Sequence, residues 1–200
     1  MNNQRHRGRG AWRRLLLLGA IGAGATFVGA GAAEATIFER FEYSETFDAS
    51  FPVCGIPVDY VDEFSGKGHV RQGKGRQAGA FFLQDNYSGV ETFTNPVNGK
   101  FFTISYDGIF KEIKATPVGE GVFEFVDHNA GQPFVVRDMD GNVLLRDRGL
   151  ISFTYLFDTG GDELPGGEFI ELLDIRVSGP HPGFFLEDGD ECPTVVELLS

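Results

Sequence analysis

The chain has 200 residues, with 17 Lys and Arg against 29 Asp and Glu and a formal net charge of -12. Charge of this sign excludes nucleic acid as an expected partner, because phosphate neutralisation needs a basic surface. The 20 phenylalanines set against a single tryptophan, Trp12, predict a Phe-rich core.

Arg5, Arg7, Arg9, Arg13 and Arg14 precede an apolar stretch from Leu15 to about Gly31, which ends in Ala33-Glu34-Ala35. This order of basic, apolar and small residues is that of a secretory signal peptide, so residues 1–35 are read as a leader and 36–200 as one domain. Cleavage after Ala35 removes five Lys or Arg and one Asp or Glu, leaving 12 against 28 and a net charge of -16. The processed protein is expected to be secreted, with no stable membrane anchor.

In the first part of the domain, Ile37, Phe41, Tyr43 and Phe47 share a parity, as in a strand. Cys54, Ile56, Val58, Tyr60 and Phe64 define a second strand, opposite Asp59 and Glu63. Lys67, His69, Arg71, Lys74 and Arg76 form a basic, glycine-rich stretch, read as solvent-facing strand ends. Further strands are predicted over 78–83 and 87–94.

From Lys100 onward, Phe102, Ile104 and Tyr106 alternate with more polar residues, and Asp107-Gly108 then reads as a turn. Ile109, Lys111, Ile113 and Ala115 are expected on one face of the next strand, with Phe110, Glu112 and Lys114 on the other. Phe123 and Phe125 mark a third strand of this meander, and His128 to Pro133 reads as a loop. Asp140-Gly141 is a strong hairpin signal, Gly149 a bulge or bend, and Ile151, Phe153, Tyr155 and Phe157 alternate again. Asp158 to Gly167 is an acidic glycine-rich loop before a last strand through Phe169 and Val177, and the tail from Gly179 to Ser200 is expected along the surface. This spacing predicts an all-β fold: an antiparallel meander closing into a single β-barrel, or a sandwich, of about eight to ten strands.

Two cysteines in an exported chain, Cys54 and Cys192, most simply form one disulfide. Asp138, Asp140 and Asn142 have the alternate oxygen spacing of the start of a calcium loop, although the full pattern is absent; calcium is the one cofactor considered. The acidic runs Asp158 to Glu163 and Glu187 to Glu191 are further calcium candidates by charge density. No zinc spacing connects His69, His128 and His181, and no Gly-x-Ser-x-Gly elbow occurs, so no catalytic residue is assigned.

The residues Cys54-Gly55-Ile56-Pro57-Val58, Asp140-Gly141-Asn142-Val143-Leu144, Gly149-Leu150-Ile151 and Asp158 through Glu171 resemble a group of secreted proteins of high-GC Gram-positive bacteria (actinobacteria). The resemblance spans most of the mature chain and implies export and an all-β fold, with no activity attached. Function is read as binding of a small apolar ligand, with Phe102, Ile104, Tyr106, Phe123, Phe125, Phe153 and Tyr155 lining the barrel. The alternatives are an extracellular interaction or envelope module acting on a protein through an acidic surface that could hold calcium, and a hydrolase using carboxylates.

Overall fold

The structure is a computed structural model that describes residues 37–183 and 190–200; the predicted leader and residues 187–189 of the second acidic run lie outside these. The fold is an all-β antiparallel barrel. Its strands are β1 (Ile37–Val53), β2 (Ile56–Gln72), β3 (Phe81–Thr94), β4 (Phe101–Pro117), β5 (Val122–Arg137), β6 (Val143–Asp158) and β7 (Glu168–Ser178), followed by one helix, α1 (Cys192–Leu199). Each strand pairs with the next in sequence, so the hydrogen-bonded order runs from β1 to β7, with those two as the edge strands.

Seven long strands replace the eight to ten short ones expected. Asp107-Gly108 lies inside β4, and the segment His128 to Pro133 lies inside β5. The split at 83–87 closes in the same way, because β3 runs unbroken through it. Gly108, read as a turn, is instead a strand residue over which the Tyr87 side chain crosses, and the same holds at two other strand glycines: a Cβ at Gly89 would overlap the Tyr106 ring, and one at Gly66 the Tyr43 ring. The meander's parity therefore runs on through Gly108. Phe110 and Glu112 share the inner face with Phe102, Ile104 and Tyr106, whereas Ile109 and Ile113 face outward and are exposed.

True turns are chemically distinct. Cys54 and Gly55 both have positive φ, 52° and 81°, which gives β1–β2 the tight hairpin geometry that matches strand twist. Gly141 at φ 83° closes the β5–β6 turn that Asp140-Gly141 predicts.

Two apolar clusters occupy the two ends of the inner face. One joins Val58, Phe93, Phe102 and Ile104 to Val195 and Leu199 of α1. The tail thus ends in a helix that plugs this end of the barrel instead of lying along its surface, because its i, i+4 apolar pair finds cover there. The expected Cys54–Cys192 disulfide is present, with Cα atoms 5.4 Å apart, and fixes α1 to the β1–β2 turn. Asn95 and Asn98 Nδ2 both donate to the Leu199 carbonyl at 2.8 and 2.9 Å, and Lys100 Nζ donates to that of Ser200, so the helix end is satisfied by side chains. The other cluster holds Ala80, Phe82, Ala115, Phe123 and Phe125.

Candidate functional site on the inner face

Between the two clusters the inner face carries a belt of tyrosines and acids. The register aligns Asp62 with Glu91, Gly66 with Tyr87, Gly89 with Tyr106 and Glu112 with Asp127, so all of these share one side of the sheet. Four tyrosines each reach over an intervening strand. Tyr43 on β1 crosses Gly66 and donates to Asp85 Oδ2 at 2.7 Å; Tyr106 on β4 crosses Gly89 and donates to Asp62 Oδ1 at 2.9 Å. Tyr87 crosses Gly108 to Asn129 Oδ1 at 2.6 Å, and Tyr155 spans β5 to Glu112 Oε1 at 2.8 Å. Each glycine gives the ring a seat, and each oxygen gives the phenol an acceptor, which a buried tyrosine needs.

Burial dominates the electrostatics here. It raises the carboxyls of Asp62, Asp85 and Glu112 above their ordinary values, against opposing hydrogen bonds from Tyr106, Tyr43 and the Leu83 N–H respectively. The Leu83 N–H donates to Glu112 Oε2 at 2.5 Å where β4 leaves β3. Asp127, 4% exposed, is pushed up to about 7 by burial, with the facing Glu112 carboxylate adding to it. The phenols of Tyr43, Tyr106 and Tyr155 rise for the same first reason, loss of solvent.

The residues expected to line a ligand divide into two groups. Phe102, Ile104, Phe123 and Phe125 are buried in the end clusters, packed on other side chains. Tyr106, Phe153 and Tyr155 lie in the belt and are only half-buried. Asp138, Asp140 and Asn142 come together in the β5–β6 turn, where Asp138 Oδ1 accepts the Asp140 and Asn142 N–H groups at 3.0 and 2.8 Å and Oδ2 accepts Asn142 Nδ2 at 2.9 Å. These bonds hold the exposed Asp138 carboxyl below its ordinary range and make it the staple of its own turn. Asp158 and Asp162 likewise accept the N–H groups of Gly160 and Leu164. Among the described residues no group of three or more His, Cys, Asp or Glu is placed to hold a metal.

Asp62, Asp85, Glu112 and Asp127 were not singled out from the sequence. Asp62 nevertheless shares the parity of Val58, Tyr60 and Phe64, and Asp127 that of Phe123 and Phe125. A lone acid at an apolar position of a strand is the signal that finds them.

Compared with known protein families, with curated proteins and with solved structures, the chain has no match. Among the described residues no helix is long and apolar enough to cross a membrane.

Proposed function

We propose that the chain is an exported barrel that works by binding, taking a small, largely apolar ligand against the belt on its inner face. One observation carries this reading: Phe64, Phe110 and Phe153 point to the inner face yet stay half-buried, while the aromatics of both end clusters are buried. Half-covered aromatic rings beside phenol and carboxyl groups form a wall that is apolar with a few polar anchors, the composition of small-molecule sites. The Cys54–Cys192 bond supports an oxidising, extracellular setting.

Binding is favoured over hydrolysis by the position of the acids. Two open grooves of about 470 and 340 Å³ are lined mainly by residues of the outer face, such as Ser65 and Lys67 or Ser152 and Arg176, and neither is lined by Asp62, Asp85, Glu112 or Asp127. The carboxyls with raised pKa are each engaged by a tyrosine or a backbone N–H.

Titration with an environment-sensitive apolar dye tests the reading. Saturable binding that weakens roughly tenfold in Phe110→Ala and Phe153→Ala, with the fold retained by circular dichroism, is the expected result. Binding unaffected by both variants removes the inner face as the site.

A further inference from the structure

The inner face leaves one prominent feature unused, the edge strand β1. It is 17 residues long and, among the described residues, pairs on one side only, with β2. Its register with β2 is continuous from Glu39 to Val53, with the single irregularity at its start. Open edges of this length are commonly blunted by lysine, proline or bulges. β1 has no lysine and no proline before Pro52. The other edge strand, β7, is shorter, at 11 residues, and its ladder is interrupted by two register shifts.

The hairpin half of β1 has two unlike faces. Inward lie Phe47 and Phe51, which pack edge-on or tilted against Tyr60 and remain 50% and 40% exposed. Outward lies Asp48, and next to it on β2 are Asp59 and Glu63, the register partners of Ser50 and Thr46. Over its whole length β1 carries Glu39, Glu42, Glu45 and Asp48 against Arg40 alone. A second copy would bring like charges together on one edge, which is unfavourable. A basic strand would bring opposite ones.

We propose that the segment of β1 from Glu45 to Pro52 is a docking edge for an extended basic segment of a protein partner, which adds to the sheet as a further strand. Free main-chain groups of β1 supply the ladder, as in other strand additions. Apolar side chains of the incoming strand cover Phe47 and Phe51, and its lysines or arginines meet Asp48, Asp59 and Glu63. The surface borders the belt, since Phe47 is the register partner of Asp62, but the ladder it offers lies on the outer edge of β1 and not on the belt's phenols and carboxyls.

The test uses isotope-labelled protein with its disulfide intact and a dodecapeptide of alternating lysine and valine, against the same peptide with glutamate for lysine. The basic peptide is expected to protect amide protons of β1 from exchange and to bind at least about tenfold more weakly at high salt. Phe47→Lys and Phe51→Lys, both at exposed positions, each weaken it roughly tenfold, while Leu173→Lys on β7 leaves it unchanged. Equal binding of the glutamate peptide, protection on β7 alone, absence of binding, or pairing of β1 with a second copy in sedimentation each overturns the proposal.

Discussion

Glu112 and Asp127 stand directly opposite each other across the β4–β5 ladder, two carboxyls in one register position on the inner face. Like charges so placed repel, and burial already disfavours ionisation, so both effects favour a proton on the pair in the folded state. Tyr155 and the Leu83 N–H occupy Glu112, and the Phe153 N–H reaches Asp127 Oδ1 at 3.2 Å, which ties β3 and β6 to the pair on β4 and β5.

Stability is therefore predicted to fall as pH rises. Asp127 moves from an ordinary value of 3.8 to about 7 on folding, so the folded state binds the proton more tightly. The stability this provides is complete below about pH 4 and is lost as pH climbs through about 7. Between about pH 5 and 8 the loss is on the order of 2 to 3 kcal/mol, and Asp62, Asp85 and Glu112 shift in the same direction. Urea midpoints measured across that range check it. Asp127→Asn flattens the dependence; a wild-type midpoint that is constant or rises with pH contradicts the account.

Crossing of glycines by tyrosines gives a second prediction. A Cβ at Gly89 would meet the Tyr106 ring, which is also tied to Asp62, so Gly89→Val forces the ring from its seat. The expected cost is about 2 to 4 kcal/mol, and it shrinks in a Tyr106→Ala background, because the clash is then gone. Additive effects of the two substitutions would show that the ring and the glycine are not coupled.

The disulfide spans 138 residues of sequence. By the loop-entropy argument its removal in a Cys54→Ser, Cys192→Ser pair lowers stability by about 5 kcal/mol. Because it anchors α1, the loss should also uncover Val195 and Leu199, visible as increased dye binding and fast amide exchange in the helix. Full protection of α1 in the double variant would contradict its role as a tethered plug.

Much of the fold is legible in the sequence, and its errors have one physical source. Alternation of Phe102, Ile104 and Tyr106, the Asp140-Gly141 turn and the cysteine pair each identify what the structure contains. Gly108, within the dipeptide Asp107-Gly108, looks like a turn because a sequence displays backbone freedom but not the ring of Tyr87 that lies across it. Breaking β4 there reverses the inferred parity of its second half and turns Phe110 and Glu112 outward. The belt is hidden for the same reason: Tyr43 and Asp85 are 42 residues apart, and only the register brings them together. The exposed β5–β6 turn shows the converse case, since the oxygen spacing of Asp138, Asp140 and Asn142 suits a cation as well as a turn. With Asp138 filled by the turn's own N–H donors, millimolar calcium is expected to leave the melting temperature unchanged; a clear rise on calcium addition, reversed by chelation, would assign the ion to this turn.

The most direct measurement of the central claim is mass spectrometry of the protein recovered from culture medium, first native and then denaturing. A binding barrel predicts a chain cleaved near Ala35, lighter by two hydrogens for the Cys54–Cys192 bond, with additional native mass that is released on denaturation and reduced in Phe110→Ala. A processed chain that carries no additional mass, even after incubation with lipid and small-molecule extracts of the same culture, would contradict a ligand on the inner face.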